Sequence, residues 1–201
     1  LVNFHLRQHP LVLELRSCIQ KGSLGELLHI NMCWAVGTFG QSELGALPKH
    51  MQWREDMSRA GGGASMARGV QLFDLLRFLS SREVIEVRSH SDGTKKKVDR
   101  TALGILTLES GVPVTVLTSK VLPAEENVIT IYGTNARAVL RIFEELPHTL
   151  VIVPGSKKQQ VEILPKDMYI SALHDMKGAI EKRAYIGANA DDGFCAIDIT
   201  L

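Results

Sequence analysis

The chain has 201 residues, of which 45% are hydrophobic and 22% are charged, an ordinary balance for one globular domain. Its 23 basic and 22 acidic side chains nearly cancel, so bulk charge favours neither nucleic acid nor an anionic membrane as a partner. Cys18, Cys33 and Cys195 form no CxxC pair, which indicates reduced thiols in a cytoplasmic protein. No apolar run is long enough to span a membrane. Because the first residue is Leu, we expect a piece of a longer protein.

The first third of the chain predicts a helix, a strand and a long loop. The helix begins at Pro10 and ends at Gly22, and a strand of period two follows over residues 28–36. We expect one buried strand face made of Leu28, Ile30, Met32, Trp34 and Val36. Residues 37–60 predict a long loop, a feature that often carries function.

The rest of the chain predicts one sheet and its covering helices. A helix over residues 61–79 is apolar nearly all round and is therefore buried. Strands are predicted over residues 84–91, 101–109, 112–120, 127–132, 137–143, 148–153 and 159–164. Short turns between them require mostly antiparallel pairing, and helices follow over residues 167–183 and from residue 190. The outline is α+β: a broad, mostly antiparallel sheet with helices on one face, in a single domain of residues 1–201.

Three consecutive glycines, Gly61, Gly62 and Gly63, open the buried helix and are called the glycine turn below. A dinucleotide-binding turn needs a preceding strand and a further glycine where Met66 stands, and neither is present. Residues 63–67 also approach the G-x-S-x-G motif of serine hydrolases, but the strand that leads into that motif is missing, so Ser65 fits a helix start better. The pattern favours glycines that let another backbone or a ligand come close.

Two further patterns raise other functions. His5 and His9 have a spacing that suits a metal, but Pro10 biases His9 away from helical dihedral angles, so we expect no metal site. The lysines at 95–97 follow a turn and are expected to be solvated. Nucleic-acid or anion binding through them and through residues 157–158 is the weakest of the functional hypotheses.

Ala67, Gln71 and Asp74 share one stripe of the buried helix. Polar groups on such a helix need partners, which are either structural hydrogen bonds or groups in a polar cleft. Taken alone, the stripe favours structural hydrogen bonds.

Three stretches resemble the C-terminal domain of the Gfo/Idh/MocA family (glucose–fructose oxidoreductase and inositol dehydrogenase). Residues 7–10 and 21–27 are similar to the family's R-x-x-P and G-x-[IL]-G-E-[IL] segments. Trp53 and Arg54, followed by the glycine turn, look like its W-R and G-G-G-x-x-x-D-x-G-x-H segments. Residues 129–136 resemble its I-x-[IV]-x-G-T-x-G turn.

The resemblance implies a parent protein with two domains. An N-terminal Rossmann domain, absent from this sequence, would bind NAD or NADP and supply a lysine from a Glu-Lys-Pro motif. The present chain would be an open-faced sheet like the C-terminal domain of dihydrodipicolinate reductase, with helices and substrate cleft on one face and a second subunit of a homodimer or tetramer on the other. The parent would act on a sugar, polyol or related hydroxy or keto compound. We expect the chain alone to bind no dinucleotide and to catalyse no turnover.

The family's catalytic Asp and His align with Ala67 and Gln71. Alanine cannot ionise, and glutamine takes no proton near neutral pH, so a proton-transfer group must come from elsewhere. The absent lysine could act alone, or Lys49 or His50 could reach the site.

Two functional readings remain open on this resemblance. In the first, an active oxidoreductase uses Gln71 to hydrogen-bond the substrate. Its expected substrate contacts are Trp53, Arg54, Gln71 and Asp74, and its expected nicotinamide contacts are Gly61, Gly62 and Gly63. In the second, the protein is a catalytically degenerate module for binding or assembly that keeps only the fold.

Overall fold

A computed structural model describes residues 2–37, 48–122, 127–143, 147–154, 159–163, 167–183 and 185–201. The helices are α1 (Pro10–Gln20), α2 (Met57–Ala60), α3 (Val70–Ser80), α4 (Met168–Ile180) and α5 (Ala190–Thr200). The strands are β1 (Leu27–Ala35), β2 (Val84–Ser91), β3 (Thr101–Leu108), β4 (Pro113–Ser119), β5 (Val128–Gly133), β6 (Ala136–Arg141), β7 (His148–Pro154) and β8 (Gln159–Ile163). The predicted α+β architecture is confirmed.

The eight strands form one sheet in the order β2-β3-β4-β1-β5-β6-β7-β8. Neighbours pair antiparallel except β1 and β4, which run parallel with Ile30 opposite Val114. A parallel pair needs a long crossover, and here the connection carries α2, α3 and the β2–β3 hairpin. The mostly antiparallel sheet that short turns predict is therefore built around one parallel pair.

The core lies between the sheet and the helices on one of its faces. Helix α3 packs against both α1 and α5. The cluster includes Leu11, Leu15, Ile30, Met32, Leu72, Leu75, Leu79, Leu106, Val114, Val116, Ile129 and Leu140. Each large aliphatic side chain buried here contributes about 1.5–3 kcal/mol by leaving water. This packing fixes α3, and with it the segment that follows the glycine turn.

One predicted strand face is wrong at its two ends. Ile30 and Met32 are buried as expected, but Leu28 is 53% exposed and Leu27 takes its place inside. The pairing of β1 with β5 shifts register between Leu27 and His29, and such a bulge reverses the side-chain alternation on one side of it. Val36 lies beyond the strand end and is exposed.

Helix α4 has its apolar residues on the surface. It begins after Asp167, whose side chain accepts hydrogen bonds from the amides of Tyr169 and Ile170. Exposed apolar side chains on it are Tyr169, Ile170, Leu173, Met176 and Ile180. A contiguous exposed stripe of this kind is typical of a surface that another element or chain covers.

Among the helices in the described ranges, none is long and apolar enough to cross a membrane.

Candidate functional site

The glycine turn lets two backbones approach closely, as its composition predicts. Gly61 ends α2 in the left-handed region with φ of +72°. A Cβ on Gly63 would lie 1.7 Å from the carbonyl oxygen of Asp99, a distance that no side chain could occupy. The same carbonyl accepts a hydrogen bond from the amide of Ala64 at 2.9 Å. Glycine at position 63 is therefore required by contact with the segment before β3.

The side chain of Asp99 caps this turn. It is buried and accepts hydrogen bonds from the amide of Gly63 at 2.6 Å, the amide of Ser65 at 2.7 Å and the hydroxyl of Ser65 at 2.8 Å. The backbone donors that could have bound a phosphate are thus occupied by the protein's own carboxylate. The sequence gives no local sign of this role, because Asp99 lies 36 residues after Gly63.

Residues Ser65–Gly69 form a π-helical turn that leads directly into α3. Turns of this type are rare and occur frequently at functional sites. Ala67 lies on this turn and is exposed, whereas Gln71 lies in the first turn of α3 and is half-buried. The side-chain oxygen of Gln71 is buried without a hydrogen-bond partner in the described part of the chain. An unsatisfied buried acceptor costs about 1–3 kcal/mol, so this carbonyl is a candidate contact for a ligand.

Asp74, on the same stripe, has a structural partner. Arg7 donates two hydrogen bonds to its carboxylate, at 2.9 and 2.5 Å, and also lies 3.2 Å from Asp192. Burial raises the pKa of Asp74 to about 6, while the hydrogen bonds from Arg7 act in the opposite direction. Asp74 therefore makes the structural hydrogen bonds that the sequence favoured for this stripe, whereas the side-chain oxygen of Gln71 has no such partner.

The residues predicted to reach the site from the long loop lie on the surface. Lys49, His50, Trp53 and Arg54 belong to a 3₁₀ turn, Lys49–Glu55, and residues 38–47 before it lie outside the described part of the chain. The side chains of Lys49 and His50 are exposed and make no hydrogen bond or ion pair with any described residue. The guanidinium of Arg54 lies 5.7 Å from the ring centroid of Trp53. None of these four side chains makes a hydrogen bond with Gln71.

Arg68 is a candidate that the sequence analysis does not single out. It lies on the π-helical turn, three residues before Gln71, and is half-buried. Burial lowers the pKa of Arg68, and the guanidinium makes no hydrogen bond, ion pair or aromatic contact with the described residues. A charged residue at the start of an otherwise apolar helix was the one available sequence sign.

A cavity of about 560 Å³ lies on the other side of the glycine turn, between the last turn of α5 and the inner face of β2, β3 and β4. Gly61, Gly62, Ser65 and the exposed lysines Lys95 and Lys97 are among its lining residues. Gln71 and Asp74 do not line it. Lys157 and Lys158 lie outside the described residues.

The two N-terminal histidines have separate partners. His5 stacks on Tyr169 with ring centroids 4.7 Å apart. His9 uses Nδ1 to accept the amide of Leu11, so its Nε2 carries the proton and donates to Nδ1 of His148 at 2.8 Å. Burial, with a further contribution from His148, lowers the pKa of His9 to about 4. His9 is therefore neutral near pH 7, and its Nδ1 caps the start of α1.

Comparison with known proteins finds one family of C-terminal domains and several individual oxidoreductases that this chain is similar to. The family model described as the GFO/IDH/MocA C-terminal domain matches residues 12–139, more than half of the chain. A 1,5-anhydro-D-fructose reductase from Ensifer adhaerens is 27% identical over 197 residues, which cover 95% of this chain and 56% of that protein. The chain therefore spans little more than half the length of this relative.

Solved structures share the fold. A levoglucosan dehydrogenase in complex with NADH and levoglucosan has a TM-score of 0.84 and 20% identity, covering 100% of this chain and 61% of that one. The super-repressor mutant of Gal80p from Saccharomyces cerevisiae has a TM-score of 0.72 and 17% identity, covering 90% of this chain and 51% of that one. One fold thus occurs in a dehydrogenase and in a protein described as a repressor, so activity has to be argued from the site.

Proposed function

Because the chain belongs to the GFO/IDH/MocA C-terminal domain family, we propose that it is the substrate-binding and oligomerisation domain of a two-domain, NAD(P)-dependent oxidoreductase. The substrate is a sugar, polyol or related hydroxy or keto compound. The relation to 1,5-anhydro-D-fructose reductase over 95% of the chain supports this substrate class.

The observation that carries the proposal is the unpartnered carbonyl of Gln71. In the proposed complex, a substrate hydroxyl donates a hydrogen bond to this oxygen and so satisfies it. The small side chain of Ala67, exposed at the position of the family's Asp, leaves room beside it. Since an amide orients a hydroxyl but accepts no proton, proton transfer falls to a group of the N-terminal domain.

The glycine turn is poorly suited to hold a dinucleotide diphosphate. Asp99 occupies the amides of Gly63 and Ser65, which are the donors that the glycine turn could have offered. We therefore assign NAD or NADP to the N-terminal domain, and leave to Gly61, Gly62 and Gly63 at most a contact with the nicotinamide ring. Trp53, Arg54, Lys49 and His50 are then surface residues at the entrance to the cleft, and Asp74 supports the helix through Arg7.

The outer face of the sheet is the proposed oligomer contact. Leu103 and Ile105 point away from the helices, because they alternate along β3 with the buried Leu106 and Leu108. They are 47% and 53% exposed, and a second copy of the protein would cover them.

The test is an assay of the full-length protein with 1,5-anhydro-D-fructose and a panel of sugars, sugar acids, sugar phosphates and polyols, each with NADH and NADPH or their oxidised forms. We expect substrate-dependent change in nicotinamide absorbance, and a loss of about tenfold in kcat/KM for Gln71→Ala, the effect of one lost hydrogen bond. Gln20→Ala, at the exposed end of α1, is the matched control and is expected to leave kcat/KM unchanged. Absence of turnover across the whole panel would reject the catalytic proposal.

The second candidate is a degenerate member that binds a sugar without oxidising it. It is favoured by the pairing of an exposed alanine with a neutral amide at the family's two catalytic positions. This reading predicts Gln71-dependent sugar binding by calorimetry in a protein without turnover. A measurable turnover that Gln71→Ala abolishes would exclude it.

A further inference from the structure

Arg68 is a half-buried cation that makes no hydrogen bond, ion pair or aromatic contact with the described residues. Two other arginines in the interior pair with carboxylates, Arg7 with Asp74 and Asp192, and Arg77 with Glu83 and Asp192. The guanidinium of Arg16 lies 4.0 Å from the ring centroid of Phe78, and its Nε has no hydrogen-bond partner in the described part of the chain. No nitrogen of the Arg68 guanidinium is fully buried, so its donors are accessible to an anion, and the half-buried position of the side chain strengthens such an ion pair.

The position of Arg68 relates it to Gln71. Residues three apart on a helix are neighbours on its surface, and Arg68 and Gln71 have this spacing across the junction of the π-helical turn and α3. One side chain offers up to five unpaired donors and the other an unpaired acceptor, and they do not bond to each other. An accessible donor group and a buried unpaired acceptor at this spacing are suited to a ligand that carries both an acceptor anion and a donor hydroxyl.

We propose that Arg68 is a specificity-determining residue that binds a carboxylate or phosphate group of the substrate, about one helical turn from the hydroxyl bound by Gln71. This inference rests on the proposed function and narrows it, because it makes the substrate an acidic sugar, either a sugar acid or a sugar phosphate. The planar guanidinium can donate two parallel hydrogen bonds to either anion, which gives geometric selectivity as well as charge.

The experiment is titration calorimetry on the full-length protein. The probes are aldonates, uronates and sugar phosphates, the neutral sugar that matches each of them, and inorganic phosphate and acetate as bare anions. We expect the acidic sugars to bind more tightly than their neutral counterparts. In Arg68→Gln the affinity for acidic sugars is expected to fall by about 10- to 100-fold, the effect of removing a hydrogen bond to a charged group, while the affinity for neutral sugars changes little. If sugar acids bind more tightly than sugar phosphates, the group that Arg68 binds is a carboxylate, and the reverse order identifies a phosphate.

Two further variants keep the test interpretable. Arg68→Lys retains the charge but loses the paired donors, and is expected to recover part of the lost affinity if Arg68→Gln is poorly folded. Arg82→Gln changes another half-buried arginine and is expected to bind like the parent protein.

The outcomes separate this inference from the proposed function. If neutral sugars bind or turn over, and Arg68→Gln binds acidic sugars as tightly as the unsubstituted protein does, the inference about Arg68 is wrong and the oxidoreductase proposal stands. If Arg68-dependent binding of inorganic phosphate is found without any sugar binding, the anion site stands and the sugar oxidoreductase proposal fails. Equal binding of every anion by parent and Arg68→Gln protein would overturn the inference outright.

Discussion

Single residues decide what the glycine turn can do. Its donors face Asp99, so a feature that in other proteins binds phosphate serves here to join the start of α3 to β3. The conformational need for glycine could be predicted from the sequence, but the identity of the capping carboxylate could not, because its partners are 34 and 36 residues away. The hydrogen bond between His9 and His148 could not be predicted for the same reason, because the two residues are 139 positions apart in the sequence.

Replacing Asp99 by alanine is expected to lower the free energy of unfolding by about 2–4 kcal/mol, because the buried amides of Gly63 and Ser65 lose their acceptor. Urea denaturation of the domain measures this. Asp198→Ala, at an exposed position of α5, is the control and should change stability by less than about 0.5 kcal/mol. Equal stability of the two variants would show that Asp99 is not the cap.

The buried pair of His9 and His148 predicts acid sensitivity. The pKa of His9 falls from 6.5 to about 4 on folding, so between these values the unfolded chain binds more protons than the folded one. The stabilisation is fully present above pH 6.5 and is lost as the pH falls toward 4, by on the order of 3 kcal/mol.

The variant His9→Asn keeps a helix-capping side chain and removes this titration. Its stability is expected to vary less with pH than that of the parent in urea titrations over the same range. His90→Asn, at an exposed position of β2, should keep the parental slope. A parental slope in His9→Asn would mean that other groups cause the acid sensitivity.

Secondary-structure elements were the most predictable level of this protein. Period-two alternation and the turn residues between apolar segments predicted the eight strands, and helical spacing predicted α1, α3 and α4. Which strand face is buried was less predictable. A bulge at the start of β1 buries Leu27 and exposes Leu28, and the composition of the strand does not indicate it. The surface position of the α4 stripe could not be predicted either, since apolar spacing does not tell which partner covers a helix.

The same Leu→Ala substitution is expected to destabilise the protein strongly in α3 and only slightly in α4. Leu75→Ala removes a fully buried side chain of α3 and should cost about 2–5 kcal/mol, because a cavity remains in the core. Leu173→Ala removes a side chain of α4 that is 65% exposed and should cost less than about 0.5 kcal/mol in this domain. Chemical denaturation of both variants measures the two changes in the free energy of unfolding. A large loss of stability in Leu173→Ala, with little change in Leu75→Ala, would show that α4 and not α3 packs in the core.

At the scale of the whole molecule, the sheet has one face covered by helices and one that is bare within the described chain. The fold class followed from the order of elements and from the family resemblance. The central parallel pair did not, because short turns report only on neighbouring strands and the crossover between β1 and β4 is long. Gln71 could be placed in a candidate site from its motif position, whereas the isolation of Arg68 emerges only from three-dimensional contacts.

The oligomer proposal predicts that a charge on the bare face separates the subunits. Ile105→Arg introduces a cation on β3 at an outward position and is expected to yield a smaller particle in light scattering after size-exclusion chromatography. Leu173→Arg places the same charge on the helix-bearing side and should leave particle mass unchanged. A monomeric parent protein, or dissociation only in Leu173→Arg, would contradict the assignment of the interface.

The central claim is that Gln71 binds the substrate of a sugar-type oxidoreductase, and a crystal structure of the full-length protein with nicotinamide cofactor and a bound sugar tests it most directly. We expect the cofactor on the N-terminal domain and a sugar hydroxyl within hydrogen-bond distance of the Gln71 side-chain oxygen, beside Ala67. A structure in which Gln71 is instead hydrogen-bonded to protein side chains and no sugar lies against α3 would contradict it.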